Sequence, residues 1–424
     1  MNTKQNNTTE KKLTVGLFGY GVVGKGLYDV LLNTQSLNAS IKKICIRDPL
    51  KKRNIAAENF TTDANELLND ENIPVIVELI DDAEAAYNIV KTSLQKGKAV
   101  VSANKKMIAT HLQELLALQK ENNTAFLYEA SCCASIPIIR NLEEYYDNDL
   151  LKSVKGIVNG STNYILTKMA EENLSFKEAL VEAQQLGFAE SDPVLDIDGY
   201  DAVNKLTILT LHSFGLLQKP GDFIFNGISS ITSPDSIYAN EKKLSIKLVA
   251  QARRLSNGKL AAFVLPQFVA INDDLYSVKN EFNALITESA FADKQLFKGK
   301  GAGAFPTAAA VLSDISALRY DYKYEYRKLH NSNDIRLTHE YYLKVYVAAD
   351  DINKIIENEF EWIEEWRIDH HYNIAIGVIH AQKLLNNNWW KSDGVSLIMF
   401  NEPVIENIDH RLIRKKSLQL AGIS

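Results

Sequence analysis

Apolar positions in the first third of the chain fall into short, nearly unbroken runs separated by stretches of helical spacing. Residues 13–18, 41–46, 74–80, 98–101 and 125–128 are strand-sized runs of the kind buried on both faces of a sheet. Between them, residues 22–32, 83–95 and 108–121 repeat apolar side chains at helical intervals. Strands alternating with helices predict parallel βαβ units with right-handed crossovers. From residue 153 the strict alternation stops. A short strand near residue 156 leads into a cap-rich run, Asn159 to Asn163, and a predicted helix over 164–171. A second helix is expected over 175–186, closed by Gly187, and a third runs through 206–217, apolar nearly all round. Past about residue 335 the pattern predicts strands over 339–348, 372–381 and 394–400, with a helix over 352–366.

Composition narrows the function classes. Apolar residues make up 46% of the 424 and charged residues 24%, with a net charge of −6, ordinary values for a globular chain with a sizeable core. That balance speaks against gripping nucleic acid or an anionic membrane. The apolar runs are too short to span a bilayer, and polar residues 1–12 read as a disordered tail. Three cysteines, Cys45, Cys132 and Cys133, offer neither a disulfide framework nor a CxxC pair, which fits a reducing cytoplasm.

The first candidate chemistry follows the first strand. Gly19-Tyr20-Gly21-Val22-Val23-Gly24 stands between Phe18 and a helix, the order a dinucleotide site requires. One glycine makes the tight turn, the next lets pyrophosphate approach the backbone, and the third lets helix and strand pack closely. The second strand ends in Arg47-Asp48, followed by Lys51-Lys52-Arg53. A cation at that tip suits the 2′-phosphate of NADP, and an acid suits the ribose of NAD; Arg47 favours NADP, and Asp48 keeps NAD in play. Ser102 to Lys106 lies at the carboxyl end of another strand, where ligands collect, so a lysine there is placed to reach cofactor or substrate.

The second cluster runs from Gly187 to Lys205 and is crowded with carboxylates, Glu190, Asp192, Asp196, Asp198 and Asp201. Asp201 and Lys205 are one helical turn apart, at the start of the apolar helix. A lysine held beside carboxylates in a partly buried cleft can serve as a positioned proton donor, and the acids suit an ammonium-bearing substrate.

The segments 19–24, 102–106, 129–137, 156–164, 187–205 and 301–308 resemble, in order and spacing, the motifs of homoserine dehydrogenase, over residues 13 to about 320. The resemblance is to the monofunctional type. It implies an α/β fold: a Rossmann-like NAD(P)-binding domain over 13–150 whose sheet is partly completed by the C-terminal part of the core, a substrate-binding, catalytic and dimerisation domain over 151–320, and a degenerate ACT-like α+β domain over 335–424. It further implies NAD(P)H-dependent interconversion of aspartate 4-semialdehyde and homoserine, on the route to threonine, methionine and isoleucine, by a homodimer. By this resemblance Phe18, Gly19, Gly21, Val22, Val23 and Gly24 form the cofactor loop, with Arg47, Lys105, Gly187, Glu190 and Gly303 also at the cofactor. Lys205 would be the general acid, Asp201 would orient the substrate, and Glu190 would bind its ammonium. A sodium-like cation would take the Glu129 carboxylate and the carbonyls of Cys132, Ala134 and Ile136. The chain departs from the family in having Cys133, Ala134 and Ser135 where glycines are usual, Asp81-Asp82 in place of Gly-Gly, and no Pro-Gly effector turn near Asp350.

Two other classes share the front half. An aspartate dehydrogenase-like enzyme is disfavoured by the run from Glu190 to Lys205. A non-catalytic nucleotide-sensing relative is disfavoured by Glu190, Asp201 and Lys205 standing together.

Overall fold

The computed structural model describes residues 12–148, 150–331, 335–368 and 372–408. The expected tail lies outside these except for Lys12, as do residues 409–424. In chain order the elements are β1 (Leu13–Phe18), α1 (Val22–Asn33), β2 (Ala39–Cys45), β3 (Phe60–Thr61), α2 (Asn65–Leu68), β4 (Val75–Glu78), α3 (Ala83–Gln95), β5 (Ala99–Ser102), α4 (Lys105–Glu121), β6 (Phe126–Leu127) and α5 (Ile138–Glu144). There follow β7 (Leu151–Ile157), α6 (Gly160–Glu172), α7 (Phe176–Gln185), α8 (Val194–Ile197), α9 (Tyr200–Phe214), β8 (Ile224–Phe225), α10 (Ser233–Glu241), β9 (Leu244–Arg254), β10 (Leu260–Ala270), β11 (Phe282–Ser289) and β12 (Lys294–Lys300). The last are α11 (Ala304–Leu318), α12 (Arg327–Asn331), β13 (Tyr342–Ala349), β14 (Phe360–Arg367), β15 (Asn373–His380), α13 (Ala381–Asn386) and β16 (Val395–Phe400).

The chain divides into two compact units. One comprises Met1–Arg140 and Ala302–Glu325, the other Asn141–Gly301 and Tyr326–Ser424. The first holds a six-stranded parallel sheet in the order β3-β2-β1-β4-β5-β6. That order reverses direction between β1 and β4, the crevice where doubly wound sheets take their ligands. The later segment enters this unit as helix α11 packed on α1, not as a strand completing the sheet. A Cβ on Gly26 of α1 would stand 2.8 Å from the carbonyl of Ala304, so the close approach of these helices requires glycine there.

The second unit is built on a mixed sheet in the order β12-β11-β7-β9-β10-β16-β13-β15-β14, with β8 beside β10. Its neighbours are antiparallel apart from the β10–β16 and β10–β8 pairs. Helix α9 is buried along almost its whole length and ends at Gly215 in the left-handed region, φ 72°. The apolar run of β10 and the centre of β11 are buried within the single chain.

Residues 352–366 correct the sequence reading. They form two single 3-10 turns and then strand β14, with register shifts between Phe360 and Trp362 and between Ile363 and Glu365. Each bulge adds a residue to the strand repeat of two. Phe360, Ile363 and Trp366 therefore meet the same core at intervals of three, which imitates helical spacing. The observed order is thus strand, strand, strand, short helix, strand, and the βαβ…β arrangement behind the ACT-like expectation is not the one present.

Candidate active site

In the first unit, β1 is buried and turns at Gly19, whose φ of 95° suits glycine. A Cβ there would meet the Leu79 carbonyl at 2.6 Å, and one on Gly24 would meet the Gly19 carbonyl at 2.2 Å. Gly21 is different: nothing lies within 4 Å of the Cβ it lacks. Gly21 also caps α1 without a side-chain hydrogen bond, and the first turn, with Val22 and Val23, carries no acid. Unblocked backbone N–H groups at the positive end of a helix, beside open space, are what a pyrophosphate needs. The residues present fit a dinucleotide.

Beyond β2, Arg47 and Asp48 are both exposed. The Asp48 carboxylate accepts the Leu50 N–H at 2.9 Å, and the Arg53 guanidinium donates to the carbonyls of Asp48 and Lys51 and lies over the Phe60 ring. The basic loop is thus folded on itself through Arg53 and Asp48, and Arg47 is exposed. Asp82 accounts for one departure from the family: it is the N-cap of α3, accepting the N–H groups of Glu84 and Ala85, each at 3.0 Å. Lys105 opens α4 directly after its cap Asn104 and is half-buried.

Glu129 is buried, and its two oxygens accept the N–H groups of Ile139 and Arg140 at 2.8 Å each. Its own N–H donates to Asp314, which also pairs with Arg140 at 3.1 Å. Burial pushes both carboxylates up, and the charge of Glu129 raises Asp314 further, against the pull of Arg140 on each. Cys133 and Ala134 adopt φ of 56° and 40°, the left-handed region usual for glycine. Among the described residues no cluster of three His, Cys, Asp or Glu side chains could hold a metal; a cation here depends on one carboxylate and on carbonyls.

In the second unit the acids and the lysine converge. Asp201 and Lys205 are 4% and 6% exposed, and Lys205 Nζ lies 2.7 Å from Asp201 Oδ2. The same ammonium donates to the Val158 carbonyl at 2.7 Å. Asn159 Nδ2 donates to Asp201 Oδ2 and to Asp196 Oδ1, each at 2.8 Å, while its Oδ1 accepts the Thr162 N–H and caps α6. Sequence reading placed Asn159 as a helix cap and missed this second duty, which no spacing rule reveals. The start of α9 is held from below by two glycines. Gly199 has φ 85°, and a Cβ on Gly227 would fall 1.8 Å from the Ile197 carbonyl.

Glu190 and Gly187 do not join that buried cluster. Both are exposed on the loop after α7, Gly187 with φ 76°. Gln184 holds the loop by donating to the Glu190 carbonyl at 2.9 Å, and the Ser161 hydroxyl donates to the Phe188 carbonyl at 2.6 Å. Gly303 belongs to the first unit, as the N-cap of α11 with φ 121°.

Two family models match, described as homoserine dehydrogenase over residues 137–316 and as the homoserine dehydrogenase NAD-binding domain over residues 19–129. The homoserine dehydrogenase of Bacillus subtilis is 37% identical over 317 residues, 73% of each chain. A homoserine dehydrogenase structure from Thiobacillus denitrificans superposes with a TM-score of 0.79 at 28% identity, covering 92% of this chain and 99% of its own. A hyperthermophilic archaeal homoserine dehydrogenase mutant in complex with NADPH gives a TM-score of 0.63 at 28% identity, over 74% of this chain and all of its own. With a nucleotide-binding sheet in one unit and the buried Asp201–Lys205 pair in the other, the chain belongs to the homoserine dehydrogenase family and is an NAD(P)-dependent oxidoreductase.

Proposed function

We propose that Lys205 is the general acid of this enzyme, protonating the aldehyde oxygen of aspartate 4-semialdehyde on reduction and taking the proton back on oxidation of homoserine. The observation that carries this reading is the pinning of its ammonium between Asp201 Oδ2 and the Val158 carbonyl, each at 2.7 Å, in a nearly dry setting. When bound, the coenzyme supplies the hydride. Charge then builds on the carbonyl oxygen, and a donor fixed before the reaction stabilises it without reorganisation. Asp201 orients Lys205 and the substrate. Glu190, an exposed carboxylate, binds the substrate ammonium and contributes to the cofactor site with Gly187. Phe18 to Gly24, Lys105 and Gly303 hold the coenzyme, and exposed Arg47 selects NADPH by its 2′-phosphate.

A monovalent cation fits the Glu129 loop, held by that carboxylate and the carbonyls of Cys132, Ala134 and Ile136. The left-handed φ at Cys133 and Ala134 supports it, as does a buried acid pair that a positive charge would relieve. The assembly we infer is a cytoplasmic homodimer serving threonine, methionine and isoleucine synthesis. Its free cysteines accord with a reducing compartment, and light scattering tests the dimer.

Lys205→Ala decides the central claim. It should lower kcat by ~10²–10⁴-fold, the usual yield of general acid catalysis, with the NADPH dissociation constant nearly unchanged. A folded variant with near-normal kcat would move the role to Lys105.

A further inference from the structure

Glu78 ends β4 at the carboxyl edge of the parallel sheet, and none of it reaches solvent. A carboxyl so placed needs protein donors in place of water. The Ile80 N–H donates to its Oε1 and the Ser102 hydroxyl to its Oε2, both at 2.6 Å. Ser102 Oγ in turn accepts the Asn104 N–H at 3.1 Å, and Asn104 Nδ2 returns to the Ile80 carbonyl at 3.0 Å. These contacts close a ring through the ends of β4 and β5. The remaining amide oxygen of Asn104 accepts the Met107 N–H at 3.0 Å and so caps α4, whose first residue is Lys105.

We propose that Glu78 is a positioning residue for coenzyme binding: the ring it anchors fixes the first turn of α4, and with it Lys105, relative to the loop that follows β4. This rests on the reading that Lys105 contacts the coenzyme. The ring has a polarity. Glu78 must accept twice, because both groups facing it are donors. In Glu78→Gln the amide presents one acceptor and one donor, so either the Ile80 N–H or the Ser102 hydroxyl loses its partner. Protonation of Glu78 imposes the same defect. Burial and, after it, the charge of Asp81 push Glu78 up to about 7, against the pull of its two donors. From the neighbouring elements, β1 and β5 present no titratable side chain, and α3 turns Ala86, Val90, Ser93 and Leu94 inward.

The test is titration of NADPH fluorescence into the full chain from pH 6 to pH 9, for wild type, Glu78→Gln, Ser102→Ala, Ser102→Thr and Lys105→Ala, with thermal melts to confirm folding. At pH 9, Glu78→Gln and Ser102→Ala should each weaken NADPH binding about tenfold, as loss of one buried hydrogen bond permits. Ser102→Thr, which keeps the hydroxyl, should bind like wild type, and the KM for homoserine should stay unchanged in the Glu78 and Ser102 variants. The ratio of Glu78→Gln to wild-type dissociation constants should fall toward one at pH 6, where wild-type Glu78 is itself protonated. If Lys105→Ala weakens binding while Glu78→Gln and Ser102→Ala do not, or if the ratio ignores pH, the role of Glu78 is overturned. If Lys105→Ala leaves binding untouched, the coenzyme role of Lys105 falls, and this proposal with it. Should Glu78→Gln fail to fold, the Ser102→Ala and Ser102→Thr pair still decides.

Discussion

Lys247 is buried in the middle of β9, with its ammonium on the Asn163 amide oxygen at 3.0 Å and the Val278 carbonyl at 2.6 Å. Burial pushes it down to about 7, so charging it opposes folding. Between that value and the ordinary lysine range the unfolded chain binds more protons than the folded one, and stability rises with pH. The penalty is complete below about 7 and disappears as pH climbs toward 10. Lys247→Met should flatten the denaturant midpoint across this window, removing a slope of at most ~1.4 kcal/mol per pH unit. An unchanged slope would assign the lysine a solvated setting. Arg47 carries a different consequence at the same scale. Arg47→Ala should raise the KM for NADPH far more than that for NADH, and equal effects would remove its selecting role.

At the scale of elements, placement of the chemistry depends on backbone contacts that bear no functional group. Gly227→Ala would drive a Cβ into the Ile197 carbonyl, on the segment leading to Gly199 and α9. We expect kcat/KM and Tm to fall together, although residue 227 bears no functional group of its own. Normal activity with a lowered Tm would separate this contact from catalysis. Such contacts explain what was legible in sequence and what was not. The parallel strands and the Gly19–Gly24 turn were readable because their burial leaves period and glycine spacing intact. The pairing of Asp201 with Lys205 followed from helical geometry. Strand β14 was misread because two bulges reset its phase. The second role of Asn159 was invisible because its partners Asp196 and Asp201 lie some 40 positions away in sequence, at separations of 37 and 42 residues.

For the whole molecule, the tail is part of the second unit's architecture. β16 lies parallel to β10 through Gln267–Met399 and Phe268–Phe400, and β13 and β15 extend the same sheet. Asp235 of α10 accepts from the Ser396 hydroxyl at 2.9 Å and from Tyr372. A tail so engaged, and without the Pro-Gly turn, should respond weakly or not at all to threonine. Inhibition at millimolar threonine that is lost on deleting residues after 330 would contradict this. The deletion itself should cost folding, since it strips strands from a continuous sheet and leaves Asp235 buried without those donors.

Helix α11 has a further consequence, for synthesis on the ribosome. All six strands of the parallel sheet emerge within the first 127 residues, yet the helix that packs on α1 begins at Ala304. Between those two moments the nascent chain carries an exposed apolar flank at α1 while strands β7 to β12 of the second sheet are being translated. Chaperone capture should therefore peak in that interval and end soon after residue 318 leaves the exit tunnel. Ribosome-bound truncations on either side of α11 should differ sharply in protease resistance of the segment 13–127.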